Sequence, residues 1–343
     1  MTGAYATVTA VGSALPSRVV PNSYFEGLVD TSDEWIVDRT GIRERRFAAE
    51  GETTATLSAD AATRALEAAG TDPGAVDMLI VATCTPDRLL PATGAFVQAR
   101  LGMSCPAFDL NAACAGFVYG VSVGSAQIRA GSAERVLVIG AEVLSRVLNL
   151  HDRTTCVLFG DGAGAALLEP GAEPGVIDSL LAMDGTQAKL LTIPAGGSEQ
   201  PATPATAKHN LHTIQMSDGQ AVFRQAVVAM ASACADVLAK TGLGPNDVTK
   251  VIAHQANIRI INAVGKRLGI DPERVLIDIA EVGNTSAASI PIAMDRAWRT
   301  GKLVPGDVVL TVAFGAGMAW GANLIRWTAA PPVARNRTKD DGQ

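Results

Sequence analysis

Asp109-Leu110-Asn111-Ala112-Ala113-Cys114-Ala115-Gly116-Phe117 is the stretch around which the rest of the chain is arranged. The run Pro106 to Leu110 reads as a buried strand; small residues and a cysteine follow, then Phe117 to Ile128, a largely apolar segment with no charged face. Glycines 116, 120 and 124 recur every four residues and so form one smooth stripe along a helix, against which another helix is expected to approach closely. Cys114 then stands where a strand turns into a buried helix. The unpaired N–H groups and macrodipole of a helix N-terminus favour an anion there, which stabilises a thiolate. A single buried cysteine is ordinarily inert packing. The remainder of the chain changes that reading.

Working outward, the second half repeats the first. Gly70-x-x-Pro73-x-x-Val76 returns 172 positions on as Gly242-x-x-Pro245-x-x-Val248, and Val136-Leu137-Val138 returns at the same spacing as Val308-Val309-Leu310. That spacing carries Cys114 onto Ser286. Phe159-Gly160-x-Gly162 returns after only 155 positions as Phe314-Gly315-x-Gly317, so the first copy holds an excursion of 17 residues between Gly140 and Phe159. A duplicated βα unit decides the fold class more firmly than local propensity does. Two similar α/β halves, 1–172 and 173–328, are expected to pack with their small-residue helices face to face, one starting near Cys114 and the other near Ser286. A stretch with Pro331-Pro332 and mixed charges, 329–343, reads as a disordered tail.

Local signals agree with this division. Thr7 to Ala14 reads as a strand, and Thr31-Ser32-Asp33-Glu34-Trp35 as a helix start, followed by a basic cluster of Arg39, Arg43, Arg45 and Arg46. Thr54 to Ala69 has helical periodicity closed by Gly70; Met78 to Thr83 and Arg135 to Gly140 are continuous apolar runs, as in strands buried on both faces. Gly160-Asp161-Gly162-Ala163-Gly164 resembles half of a dinucleotide fingerprint but leads into Ala165 to Leu168, a strand, where phosphate binding needs a helix. It is read as a tight turn pairing that strand with Cys156 to Phe159. Ala195 to Ala207, rich in Gly, Pro, Ala and Thr, reads as a mobile loop.

Composition narrows the function classes. The chain has 343 residues, enough for one large or two ordinary domains, and is 48% hydrophobic but only 4% aromatic, so its core is aliphatic. A net charge of −6 leaves no basic surplus for nucleic acid. The five cysteines include no CxxC pair and the four histidines no HxxxH pattern, which argues against a metal site and for reduced thiols in a cytoplasm. No segment is expected to span a membrane, and the N-terminus lacks a basic region followed by an apolar stretch.

Two further stretches bear on chemistry. Val251-Ile252-Ala253-His254-Gln255-Ala256-Asn257 puts a histidine at the C-terminal end of a buried strand, where open α/β sheets carry their sites. Glu281-Val282-Gly283-Asn284-Thr285-Ser286 puts an asparagine just before the second central helix. Each alone has an ordinary explanation, core packing for the one and turn chemistry for the other. The duplication sets all three at comparable layer edges. A cysteine, a histidine and an asparagine converging there supply a nucleophile and two polar groups able to hydrogen-bond a carbonyl oxygen that gains charge. The turn Phe314-Gly315-Ala316-Gly317 would bring backbone N–H groups to that oxygen.

At these residues the sequence resembles β-ketoacyl-acyl-carrier-protein synthase III, a condensing enzyme of the thiolase superfamily. The resemblance rests on Thr31-Ser32-Asp33-Glu34-Trp35-Ile36-Val37-x-Arg39-Thr40-Gly41-Ile42-Arg43, Ala112-Ala113-Cys114-Ala115-Gly116-Phe117, His254-Gln255-Ala256-Asn257 and Gly283-Asn284-Thr285-Ser286-Ala287-Ala288-Ser289, and it runs from about residue 5 to Trp327. It implies a thiolase-like duplicated αβαβα five-layer fold, a homodimer, and a ping-pong reaction without a bound cofactor. Cys114 would take the acyl group of an acyl-coenzyme A. His254 and Asn284 would stabilise the enolate left when malonyl-acyl carrier protein loses carbon dioxide, and the backbone N–H groups of Cys114 and Ala316 would form the oxyanion hole. The same resemblance puts coenzyme A against Trp35, Arg39, Thr40, Arg153, Gly219, Phe223 and Asn257, and the carrier protein on Arg224, Arg259 and Lys266. Leu90, the side chain that reaches across the dimer to close the acyl pocket, Met318 and Gln220 depart from the common pattern and would tune the acyl group accepted. Local basic residues also reconcile an acidic enzyme with an acidic carrier.

Three other readings remain open on the sequence. A starter-unit enzyme of a specialised, polyketide-type pathway, or an acyltransferase to an oxygen or nitrogen acceptor, would keep the same trio. A thioesterase-like hydrolase would need water at the acyl-cysteine, and the small buried surroundings argue against a path for it. A non-catalytic binding protein would have no use for the complete trio.

Overall fold

The runs that are apolar on both faces become the inner strands of two sheets. A computed structural model describes residues 5–331; the expected tail beyond Pro331 lies outside the described residues. The first sheet holds β1 (Tyr5–Ala14), β2 (Met78–Ala82), β3 (Ala107–Leu110), β4 (Val136–Glu142) and β5 (Gly162–Gly171), in the order β1-β5-β4-β2-β3. Strands β4, β2 and β3 run parallel, with Val136 opposite Met78 and Leu79 opposite Ala107; β5 lies antiparallel between β4 and β1, so that β1 runs in the direction of β4. The second sheet repeats the pattern with β6 (Val176–Met183), β7 (Lys250–Ala253), β8 (Val308–Gly315) and β9 (Ala319–Arg326), ordered β7-β8-β9-β6. An isolated parallel bridge from Val251 to Val275 stands where the first sheet has β3.

Six helices complete the layers around the site: α1 (Asp33–Thr40), α2 (Thr54–Ala69), α3 (Gly116–Arg129), α4 (Gly219–Thr241), α5 (Ile258–Leu268) and α6 (Ser289–Arg299). Helix α2 covers the outer face of the first sheet, α4 and α5 that of the second, and α3 and α6 lie between the sheets. This is the duplicated five-layer αβαβα arrangement. Local chemistry sets several ends: Thr53 caps α2, which stops at Gly70 with φ 67°, and Ser32 caps α1 through the Trp35 N–H. Helix α4 is long and apolar enough to cross a membrane by composition, contrary to the expectation that no segment would be. Here Ala226, Met230, Ala233 and Val237 are buried and the helix packs on the second sheet.

Three sequence expectations change. The glycine stripe of α3 faces the first sheet, not a helix: a Cβ at Gly120 would lie 2.7 Å from Val138 Cγ1, and one at Gly124 2.9 Å from Leu168 Cδ1. The stripe lets a fully buried helix sit low on a crowded sheet, and the two central helices approach each other only at their first turns, where Gly116 meets Ala287. The duplication also slips by one residue at these turns. Ala113 and Ser286 share a left-handed backbone, φ 46° and 49°, and the Asn111 and Asn284 side chains each accept the N–H two residues on. Cys114 therefore corresponds to Ala287, not Ser286. Finally, Cys156 to Phe159 is no strand; β5 pairs with β4, and residues 143–161 form the expected excursion between them. Within the Ala195 to Ala207 loop, Thr203 caps a short helix, Pro204–Lys208.

Candidate active site

Cys114 sits on a single 3-10 turn, Ala113–Ala115, that leads directly into α3. The turn is held against the second sheet: a Cβ at Gly315 would lie 2.5 Å from Cys114 N, so the end of β8 abuts the cysteine backbone. Ala316, next in line, lines the same chamber as Cys114. Burial pushes the thiol up to about 12, and the neighbouring Ser286 hydroxyl opposes that rise. Desolvation thus makes the resting cysteine a neutral thiol, where the sequence reading expected a thiolate.

His254 follows β7, with its N–H donated to Val312 O at 2.7 Å. Its Nδ1 lies 2.7 Å from Ser289 Oγ, which already accepts the Gln255 N–H at 3.3 Å. The Ser289 hydroxyl hydrogen is then free to donate to Nδ1, which assigns the ring hydrogen to Nε2. Burial pushes the imidazole down to about 3, so it is neutral at every working pH.

Asn284 is clamped by its backbone, donating to Leu158 O and accepting from Gly160 N, each at 2.9 Å. Its Oδ1 accepts the Ser286 N–H at 2.9 Å, which leaves the amide hydrogens as its free polar group. The 157–160 segment is fixed in turn by Arg45, read from sequence only as part of a basic cluster and fully buried here. Its guanidinium donates to Val157 O at 2.6 Å and Asn22 Oδ1 at 2.7 Å, and lies 4.6 Å from the Phe25 ring centroid.

Cys114, His254 and Asn284 line one chamber of about 160 Å³. Gly219, Phe223 and Asn257 line both this chamber and an outer cleft of about 490 Å³, which also holds Trp35, Arg39, Thr40 and Arg153. All seven positions expected to meet coenzyme A thus share one opening. The Arg39 and Arg153 guanidiniums lie 4.8 and 5.0 Å from the Trp35 ring centroid. Arg224 and Arg259 stand at the same mouth, with Arg259 paired to Asp38 at 2.7 Å. Lys266 is away from the cleft, exposed two turns further along the Arg259 face of α5.

A second lobe of about 450 Å³ opens from Cys114 between apolar walls that include Leu144, Phe159, Ile193 and Ile214. Neither expected acyl-pocket residue lines it within one chain. Leu90 is 86% exposed beside Leu89 at 84%, and Met318 is fully buried in the core of the second sheet. Sequence reasoning missed Ser289, although it lies inside a quoted motif, and missed Cys84 and Glu142, which adjoin the nucleophile. The one signal for Glu142 is an acid closing an otherwise apolar strand.

Comparison with known proteins gives one answer. Residues 108–185 match the family described as 3-Oxoacyl-[acyl-carrier-protein (ACP)] synthase III, and residues 238–327 match its C-terminal counterpart. A beta-ketoacyl-[acyl-carrier-protein] synthase III of Caldanaerobacter subterraneus is 49% identical, over 94% of this chain and 98% of that relative. The crystal structure of 3-oxoacyl-(acyl carrier protein) synthase III from Pseudomonas aeruginosa superposes with a TM-score of 0.88 at 41% identity, covering 96% of this chain and 100% of that one. The priming beta-ketosynthase of the R1128 polyketide pathway gives 0.88 at 35% identity, covering 96% and 98%.

Proposed function

The chain belongs to the beta-ketoacyl-[acyl-carrier-protein] synthase III family, and from that premise we propose how its residues divide the reaction. It is an acyltransferase of the condensing type, joining an acyl-coenzyme A primer to malonyl-acyl carrier protein at the start of fatty-acid synthesis. The thioester enters the outer cleft with adenine against Trp35, Arg39, Thr40 and Arg153 beside it, and pantetheine running past Gly219, Phe223 and Asn257. Cys114 Sγ attacks the carbonyl carbon, whose oxygen takes hydrogen bonds from the N–H groups of Cys114 and Ala316, and coenzyme A leaves. The acyl chain lies in the apolar lobe.

Malonyl-acyl carrier protein then docks on Arg224, Arg259 and Lys266 and feeds its arm through the same opening. As carbon dioxide departs, the Nε2–H of His254 and the amide of Asn284 donate to the thioester oxygen, holding the enolate. A neutral imidazole suits this role because it donates without losing its proton. The carbanion attacks the acyl-cysteine, expels the thiolate and leaves as 3-oxoacyl carrier. Loss of carbon dioxide supplies the electron pair, so the chemistry needs no bound cofactor. The protein acts as a homodimer in which Leu89 and Leu90 are covered, and it works in a reducing cytoplasm, consistent with five free cysteines.

The observation that carries this reading is one chamber lined by Cys114, His254 and Asn284 and joined through Phe223 and Asn257 to the cleft. The likeness to a priming ketosynthase supports a second reading, in which the same cysteine loads a specialised starter unit. The test weighs the intact chain after incubation with a panel of acyl-coenzyme A thioesters, Cys114→Ala alongside, and then adds malonyl-acyl carrier protein. An acyl adduct absent from Cys114→Ala, discharged with carbon dioxide release and a 3-oxoacyl carrier product, is expected. The thioester that acylates fastest identifies the starter. Folded protein that takes no acyl group from any thioester would refute the assignment.

A further inference from the structure

Glu142 closes β4, fully buried, and nothing in the reaction above uses it. Its carboxylate accepts from Thr85 Oγ1 at 2.6 Å, Ser286 Oγ at 3.1 Å, Thr83 Oγ1 and Cys84 N at 3.2 Å, and Cys84 Sγ at 3.3 Å. Among the described residues no lysine or arginine is ion-paired with it. A buried carboxylate held only by neutral donors is costly to keep ionised, and burial does raise this one above its ordinary range while the donors pull it back. Such a group is poised to take up a proton. Ser286 brings it to the nucleophile, because the residue whose hydroxyl donates to Glu142 lines the same lobe as Cys114.

The cysteine needs such an acceptor. Its thiol is neutral at rest, and His254 cannot take the proton, with Nδ1 occupied by Ser289 and the ring resisting protonation. The other titratable group facing the pair, Cys84 from the end of β2, is held neutral by burial and by Glu142 itself.

We propose that Ser286 and Glu142 are the proton relay of Cys114, an inference that rests on the acyl-Cys114 reading. As sulfur bonds to the thioester carbon, the S–H bond breaks and its proton passes to Ser286 Oγ, while the Ser286 hydroxyl proton passes to Glu142 Oε1. Coenzyme A leaves with the electron pair of the broken C–S bond and takes a proton from solvent. Glu142 stays a neutral acid while the cysteine is acylated, so the malonyl carboxylate enters a chamber without a second negative charge. When condensation breaks the acyl–sulfur bond the electron pair returns to sulfur, and the proton comes back along the same path. In this relay Ser286 exchanges the proton with the reacting sulfur, and Glu142 acts through it as a positioning residue.

The test is single-turnover acylation, read by rapid quench and intact mass from pH 5.5 to 9, with the thioester that labels wild type fastest. Wild type is expected to speed up with pH through one carboxyl titration and then level off, because the relay needs an ionised Glu142. Ser286→Ala and Glu142→Gln should be slower by about 100-fold at pH 7, a usual contribution of a positioned base, and should instead climb steadily with pH. Glu142→Asp, which keeps the carboxylate, should recover part of the rate. Glu142→Gln as fast as wild type, or faster, would mean that the carboxylate merely repels the thiolate and would overturn the relay. So would a slow Ser286→Ala with an unchanged pH profile, the mark of a structural role. If Glu142→Gln does not fold, the pH profile of Ser286→Ala decides. Wild type that takes no acyl group would sink the acyl-Cys114 reading itself.

Discussion

Burial holds His254 neutral down to about pH 3, whereas an unfolded histidine protonates near 6.5. The folded value is depressed, so the contribution to stability is complete above pH 6.5 and is lost as the pH falls, because the unfolded chain then binds a proton that the folded chain refuses. From pH 7.5 to 4.5 the loss from this one residue is about 2.7 kcal/mol. The perturbation is His254→Gln, which removes the imidazole and keeps a polar side chain. Urea unfolding of both proteins at the two pH values gives the comparison, and titrations common to both cancel. Wild type should lose about 2.7 kcal/mol more than the variant over that range. The direct readout is the ¹³C shift of the His254 Cε1 in histidine-labelled protein, which should not move between pH 8 and 4.5. Equal losses in the two proteins, or a shift titrating near 6.5, would refute the claim that the chamber keeps a neutral donor.

Two other outcomes follow from packing and contact geometry. A Cβ at Gly140 would lie 2.2 Å from Ala287 O and 2.7 Å from Ala287 C, backbone at the start of the second central helix, whereas Gly185 has open space around it. Thermal melts should therefore show Gly140→Ala destabilised by about 3 kcal/mol and Gly185→Ala nearly unchanged; equal melting points would contradict the close approach. Trp35→Ala should raise KM for acyl-coenzyme A about tenfold through lost stacking, with kcat retained. A fall in kcat at constant KM in steady-state assays would remove Trp35 from the binding cleft.

Much of the fold was legible because burial on both faces leaves a plain mark. Met78 to Ala82 and Val136 to Ile139 are apolar without alternation, and their echoes 172 positions on announce the second sheet. The helix ends at Ser32 and Gly70 were legible for the same local reason, since a cap is chosen by its own backbone. At the site, Cys114, His254 and Asn284 were legible as residue types suited to their chemistry at strand and helix ends, whereas the seven cleft residues around Trp35 and Phe223 entered only through the family resemblance.

Other features were decided by distance in space. The pairing of Ala113 with Ser286 depends on backbone angles that letters do not encode, so counting along the chain matched Cys114 with the wrong partner. The stripe of Gly116, Gly120 and Gly124 was visible, but only the position of Val138 and Leu168 showed that it faces a sheet. Arg45 reads as one more member of a basic cluster until the carbonyl of Val157, 112 residues away, accepts from it in the interior. Glu142 is a single acid in the sequence; it gains meaning because Thr83, Cys84, Thr85 and Ser286 arrive from two other segments to surround it. Protonation follows the same division. The sequence by itself determines which groups can titrate, and only the tertiary structure, by excluding water and supplying donors, decides which of them hold a proton.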